Sequence, residues 1–455
     1  MKMSLKQKTK ELWICSDCGN EQVKWSGSCP ACKSWNTMQR FTESKEPLQR
    51  SYGQSVQKPV QLKDVQMEEF ERFSTGFLEL DKVLGGGVVL GSLVLLGGDP
   101  GIGKSTLMLM IARQFCRMGM RVLYVCGEES TQQTSLRAKR LGINEEGLYL
   151  FAETLFSNIQ EQIEALEPDV FILDSIQIAY KGDVNSLPGS VTQVREIAIE
   201  CMHIAKQKGV TTFLIGHVTK SGELAGPRVL EHIVDTVLDF EGDLDVGYRL
   251  IRSHKNRFGP TDEVAMFRMV SLGLEEVPNP SEIFLQERLK EVTGSAIVPT
   301  LEGSRAILVE IQALVGASAF STSSRKASGI DPNRLALLLA VLEKRMGYHF
   351  HSLDVFVSVA GGLKIRETAI DLALILAIAS SFCNRAIDPL TSIIGEVGLG
   401  GEVRSVPRIE NRLKEVKQMG FQRCILPKKN LPKEKMDIEL IGVERVDQAI
   451  SYLLA

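Results

Sequence analysis

The chain has 455 residues, a length that suggests about three domains at roughly 150 residues each. Its 44% apolar and 24% charged residues match an average globular protein and exclude wholesale disorder, a collagen-like repeat and a cysteine-dense secreted scaffold. The formal net charge of −3 hides an uneven distribution. Residues 1–60 carry ten Lys and Arg against five Asp and Glu, residues 61–275 carry 21 against 30, and residues 276–455 carry 22 against 21.

Residues 1–10 read as a polar, Lys-rich tail without the apolar core of a signal peptide. The most apolar runs, such as Leu335–Leu342 and Ala369–Ile378, fall short of the roughly 20 residues that span a bilayer. A cytoplasmic location with no membrane partner is therefore expected.

Residues 11–38 hold Cys15-x2-Cys18 and Cys29-x2-Cys32, together with Trp13, Trp25 and Trp35, all three tryptophans of the chain. Two such knuckles at short separation suit a tetrahedral Zn2+ closed by four thiolates, with no open position and hence a structural role. Two disulfides or a redox pair are the alternatives. The expected reducing compartment disfavours the first, and the absence of a thioredoxin-like βαβ pattern disfavours the second. Residues 39–60 are polar and aperiodic and read as a linker.

From 61 to 275, short apolar runs alternate with helical stretches. Strands are predicted at Ser92–Gly97, Val122–Cys126, Val170–Asp174 and Thr212–Gly216, and helices at Lys104–Met118, Gln132–Leu141 and Val191–Gln207. This pattern predicts a mostly parallel sheet wrapped by helices. From 276 to 455 a separate α/β domain is expected, with strands at Ile307–Leu314 and Asp354–Val359 and helices at Asn333–Lys344 and Thr368–Ser380.

Gly98-Asp99-Pro100-Gly101-Ile102-Gly103-Lys104-Ser105 fits G-x4-G-K-[ST] between a strand and a helix that begins with Thr106. That is the context of a P-loop binding ATP: backbone amides cradle phosphates, Lys104 reaches the β/γ-phosphates and Ser105 ligates Mg2+. Asp174 ends an apolar strand and suits the second Mg2+ position. Glu128 and, behind it, Glu129 close the strand YVCGEE and suit the polarisation of an attacking water. An acid-rich helix start is the alternative for both. His217, after the strand TTFLIG, is either a γ-phosphate sensor or a turn histidine.

The zinc module, GDPGIGKST, GEES, FILDS and Lys255-Asn256-Arg257-Phe258-Gly259 occur in this order. This arrangement resembles the bacterial RadA (Sms) family, RecA-like ATPases of recombination and repair, over essentially the whole chain. The resemblance implies an α/β RecA-like P-loop core (61–275) between an N-terminal zinc ribbon and a C-terminal Lon-protease-like α/β domain (276–455). It implies a homo-oligomer, such as a hexameric ring, with Lys255 and Arg257 acting on a neighbour's nucleotide. It implies single-stranded and branched DNA and a RecA-type recombinase as partners. The stretches matching the DNA-facing loops are 181–192 and 219–228, with Lys181, Lys220 and Arg228 as phosphate contacts. They hold few aromatics, so backbone tracking rather than base stacking is expected there.

In Lon-like proteases a serine and a lysine form the dyad. Here Glu367 falls at the nucleophile position and Lys414 at that of the base, so no proteolysis is expected; Thr368, the nearest hydroxyl, lacks the family's glycine turn. The 404–435 segment carries ten basic residues against three acids, and Arg404, Arg408, Arg412 and Lys414 are expected near one DNA-facing surface. The resulting expectation is a DNA-stimulated ATPase driving branch migration. An ATP-dependent protease and a KaiC-type regulatory ATPase are the competing readings.

Overall fold

The computed structural model describes residues 11–15, 20–42, 61, 70–216, 227–242, 247–289, 291–318 and 323–454. The chain divides into two compact units. The first is Met1–Gly242 with Arg249–Thr261 and Phe267–Glu276; the second is Asp243–Tyr248 with Asp262–Met266 and Val277–Ala455.

The N-terminal ribbon is an antiparallel sheet of Glu21–Gln22, Glu11–Cys15 and Met38–Thr42. Its core is small: Cys15, Cys29 and Met38 with Trp13 packed beside them. The expected linker starts later than position 39, because the strand Met38–Thr42 pairs with Glu11–Cys15 along its whole length.

The central sheet contains β1 (Leu93–Gly98), β2 (Val122–Cys126), β3 (Leu148–Phe151), β4 (Val170–Asp174), β5 (Thr211–Ile215), β6 (Thr236–Gly242), β7 (Tyr248–Asn256), β8 (Val264–Val270) and β9 (Gly273–Glu276). Among the described residues the strand order is β9-β8-β7-β6-β1-β5-β4-β2-β3. The six strands from β6 to β3 run parallel; the β6–β7 and β8–β9 pairs are antiparallel. Strands β1, β2, β4 and β5 are buried along their entire length, as apolar runs covered on both faces must be.

Helices α1 (Lys104–Arg117), α2 (Thr131–Arg140), α3 (Phe156–Leu166), α4 (Val191–Lys208) and α5 (Pro227–Ile233) connect the parallel strands. Apolar side chains surround α1, and residues 107–112 are all buried, so it is an internal helix rather than an amphipathic one. A capping box starts α2: the Ser130 side chain accepts from Gln133 N, and the Gln133 side chain accepts from Ser130 N. The four strands and three helices predicted here lie within one residue of the observed ends.

The second unit is built on a seven-stranded sheet: β10 (Ser295–Glu302), β11 (Arg305–Ala317), β12 (Arg325–Ser328), β13 (Leu353–Val359), β14 (Thr391–Ile393), β15 (Arg423–Pro427) and β16 (Glu439–Val443), in the order β12-β13-β11-β10-β14-β15-β16. Its helices include α6 (Pro332–Met346), α7 (Asp371–Cys383), α8 (Ile409–Gln418) and α9 (Val446–Leu454). The helix predicted at Thr368–Ser380 begins as a 3-10 turn over Thr368–Ile370 and becomes α-helical at Asp371. Residues 371–380 are buried throughout, so α7 is the core helix of this unit. Among the described residues no helix is long and apolar enough to cross a membrane.

Candidate nucleotide site

The Gly98–Ser105 loop joins the carboxyl end of β1 to the first turn of α1. Gly98, Gly101 and Gly103 have φ of 155°, 79° and 117°, values that L-residues with a Cβ rarely adopt. A Cβ on Gly98 would also lie 2.5 Å from the Phe240 carbonyl oxygen. The loop therefore needs glycine for its shape and for its approach to β6. Three of its carbonyls are held by cationic side chains: Lys104 Nζ donates to Gly98 O at 2.8 Å and Asp99 O at 2.9 Å, and buried Arg249 donates to Ile102 O at 3.2 Å. The amide end of α1 faces the same loop, which suits an anion.

Three charges meet behind the loop. Lys104 is buried, and burial pulls its ammonium below the usual lysine value, against the opposing pull of Asp174, Glu128 and Asp99. Burial raises the Asp174 carboxyl above its usual range, while donors from Tyr124 and Ser105 act to lower it. The Tyr124 hydroxyl donates to Asp174 Oδ2 at 2.6 Å. Burial likewise pushes the Tyr124 phenol well up, so it stays a neutral donor. Glu128 accepts from the buried Ser175 hydroxyl at 2.5 Å, whereas Glu129 is turned into an ion pair with Arg137 at 2.5 Å. The two neighbouring acids thus have different environments.

The donor set fits the expected ligands. Ser105 and Asp174 already share a hydrogen bond, so a hydroxyl and a carboxylate oxygen lie side by side as a small hard cation requires. Lys104 and the amide-rich loop supply the positive field for a polyphosphate. When bound, Mg2+ would neutralise β/γ-phosphate charge.

Lys255 and Arg257 are not part of this cluster in their own chain. Thr236 pairs with Asn256, and Phe240 pairs with Gly98, so the motif sits at the amino end of β6 and the P-loop at its carboxyl end. Four residues of strand, roughly 13 Å, lie between them. Lys255 Nζ donates to Val234 O at 2.8 Å and to Glu231 O, at the end of α5; burial and then Arg257 lower its pKa. Arg257 pairs with Asp235 at 3.1 Å, which also takes Lys206 at 2.7 Å and the Leu93 amide at 3.0 Å.

The described cations expected to contact DNA are for the most part engaged in ion pairs. Lys181 is paired with Glu200 at 2.7 Å and is largely buried. His217 and Lys220 lie outside the described residues, as does the side chain of Arg228. Arg404 pairs with Glu402 at 2.6 Å, and Arg408 pairs with Asp262 at 3.0 Å. Both remain exposed.

Arg412 corrects the expectation of a shared basic surface. It is completely buried on Glu367, through Nη2 to Oε2 at 2.5 Å and Nη1 to Oε1 at 3.0 Å. Lys414 is exposed instead. The reason is helical phase: Arg412 shares the inward face of α8 with Leu413 and Val416, and Lys414 lies on the outward face. The cation opposite Glu367 is therefore an arginine, which cannot serve as a base.

In the ribbon, the thiols of Cys15, Cys29 and Cys32 all lie within 4.8 Å of one another, and Cys15 and Cys32 are 3.6 Å apart. Tetrahedral zinc at roughly 2.3 Å from each sulfur places sulfurs about 3.8 Å apart, so these three fit. The fourth expected ligand, Cys18, lies outside the described residues.

A parallel sheet carrying a glycine loop, a buried lysine at the helix start and an acid at the end of the strand two places along the sheet defines a RecA-like P-loop ATPase, here with a zinc ribbon before it and a second α/β domain after it. Family models match in the same order: a rubredoxin metal-binding domain at residues 13–40, an AAA domain at 57–223 and subunit ChlI of Mg-chelatase at 309–430. The DNA repair protein RadA of Chlamydia muridarum is 53% identical over 98% of this chain and 99% of its own length. Those of Bacillus subtilis and Halalkalibacterium halodurans are 50% and 49% identical, covering 97% and 99% of this chain and 98% and 99% of their own. The chain belongs to the RadA family. A solved KaiC-like protein from Pyrococcus horikoshii is 20% identical and covers 46% of this chain and all of its own, with a TM-score of 0.40.

Tyr124 and Ser175 were not singled out from the sequence, and Arg412 was expected on the basic surface rather than against Glu367. Two of the three left a signal. A tyrosine inside the buried strand VLYVC needs a partner for its hydroxyl, and an arginine on the apolar face of a helix needs a buried anion.

Proposed function

We propose that the chain is a DNA-dependent ATPase of recombination and repair, a ring-shaped motor that extends recombination intermediates by branch migration. The observation that carries this reading is the position of Lys255 and Arg257. They lie at the end of β6 away from their own P-loop, so their charges serve a γ-phosphate on another copy. Such a cation stabilises the charge developing on the transferring phosphoryl group. Lys255 also holds the last carbonyls of α5, the helix that follows residues 217–226, so nucleotide state and that segment share one side chain.

In this reading Lys104 and the loop amides orient the phosphates, Ser105 and Asp174 hold the cation, and Glu128 orients water. Glu129 is already neutralised by Arg137 and takes no part. The ribbon holds structural zinc. The C-terminal unit is a platform, because neither Glu367 nor Arg412 offers an attacking hydroxyl or a free base.

The test is a mixing experiment. Lys104→Ala and Arg257→Ala are each expected to abolish DNA-stimulated turnover, with Arg257→Ala retaining ATP binding. Mixed before assembly, the two proteins should regain a fraction of the wild-type rate, because some interfaces receive an intact P-loop and an intact arginine. No recovery, or a rate unchanged by single-stranded or duplex DNA, overturns the reading.

A further inference from the structure

The three tryptophans of the chain all lie in the ribbon, yet they serve two different purposes. Trp13 packs against the Cys15, Cys29 and Met38 core. Trp25 and Trp35 do not: they are 59% and 76% exposed. They converge over Gly27, where a Cβ would stand 3.6 Å from Trp35 Cζ3 and 3.8 Å from Trp25 Cη2. The backbone at Gly27 does not need a positive φ, so glycine's use here is the bare floor it leaves between two indoles. Trp13 meets Trp25 edge-on at 6.5 Å and fixes it from behind.

A lysine accompanies each exposed ring. Lys24 precedes Trp25, and Lys33 lies two residues before Trp35. Both are exposed, and among the described residues neither enters an ion pair. Water-facing indoles beside unpaired ammonium groups are the chemistry of single-stranded nucleic acid binding: rings stack on unpaired bases and cations hold the intervening phosphates. The loops at 181–192 and 219–228 hold few aromatics, so stacking is a task the core leaves open.

We infer that Trp25 and Trp35, with Lys24 and Lys33, form a base-stacking platform through which the zinc ribbon binds single-stranded DNA. This deepens the DNA reading above and rests on it. Stacking is indifferent to sequence, because every base has a π-face, so the platform accepts any unpaired strand and rejects a duplex.

The placement of every tryptophan in one module makes the test direct. Oligo(dT) is added to the zinc-loaded full chain while tryptophan emission and the anisotropy of a labelled oligonucleotide are followed together. Expected is quenching that saturates with binding, with much less quenching for an abasic strand of equal length or a duplex. Trp35→Ala and Trp25→Ala should each weaken binding by roughly 5- to 150-fold, the range for one lost stack. Lys24→Ala with Lys33→Ala, which leaves the rings intact, should reduce affinity and its salt dependence while bound strand still quenches.

Binding seen by anisotropy without quenching overturns the platform and leaves the DNA reading standing. No binding at all overturns both. If emission instead changes with protein concentration alone, and Trp35→Ala lowers the assembly size, the rings meet another copy of the chain and the platform is wrong.

Discussion

The protein holds two charged clusters against apolar cores, one in each unit, and they differ in what each is suited to do. In the C-terminal unit, Glu367 accepts from Thr300 Oγ1 at 2.7 Å, Leu301 N at 2.8 Å and both terminal nitrogens of Arg412. Arg412 also donates to the Pro299 and Pro407 carbonyls. In the nucleotide site, Lys104 is drawn below its usual pKa and Asp174 above its own by burial, while two loop carbonyls accept from Lys104 and the Tyr124 hydroxyl donates to Asp174. An arginine and a carboxylate held by this many partners stabilise one geometry. Buried charges whose pKa values are displaced, by contrast, mark a site suited to binding or reaction.

Breaking each cluster should therefore have different consequences. The largest effect is expected on turnover. Glu128→Gln should lower kcat by about 100-fold or more, as loss of a general base does, with ATP binding kept, while Glu129→Gln should cost far less. Equal losses would show that the ion pair to Arg137 does not separate the two acids. Steady-state ATPase rates and nucleotide binding are the readouts.

Arg412→Leu should act on stability and not on chemistry. It strands a half-buried carboxylate and should cost about 1–3 kcal/mol, less than the loss from a fully buried pair, read by urea unfolding of the C-terminal unit. Glu367→Leu added to it should recover much of that loss. An unchanged unfolding midpoint in the single variant would remove the contrast between the two clusters.

Tyr124→Phe probes a contact that belongs to the catalytic cluster but is itself fully buried. Removing one hydrogen bond, about 1 kcal/mol, should raise the Mg2+ concentration for half-maximal ATPase about fivefold. Because the hydroxyl lowers the Asp174 pKa, its loss should also move the acidic limb of the pH–rate profile upward. A purely structural tyrosine would change stability and leave both readouts in place.

The smallest effect concerns His254, whose ring nitrogen lies 3.1 Å from Asp239. That hydrogen bond raises its pKa. The pair therefore contributes fully below the ordinary histidine value of about 6.5 and fades as pH rises through the higher folded value. His254→Gln should destabilise slightly at pH 6, within about 1 kcal/mol for so exposed a pair, and hardly at all at pH 9. A larger loss at pH 9 would reverse the assignment.

Local chemistry made much of this molecule legible in advance. The P-loop, the strand ending at Asp174 and the helices that follow are set by glycine spacing and apolar runs, which act over a few residues. The two CxxC pairs predicted a metal knuckle for the same reason. The ambiguity between Glu128 and Glu129 could not be resolved that way, because it depends on Arg137 from α2 and Ser175 from beyond β4.

The amino-acid sequence alone determined the parallel core, the phosphate loop and the thiolate set, since each rests on neighbours along the chain. Only the tertiary structure decided that Arg412 rather than Lys414 faces Glu367, that Tyr124 holds Asp174, and that Lys255 and Arg257 stand away from their own P-loop. The first two relations join residues 45 and 50 positions apart and the third joins segments still farther apart along the chain, and helical phase and strand register, rather than residue type, fix which side chains meet.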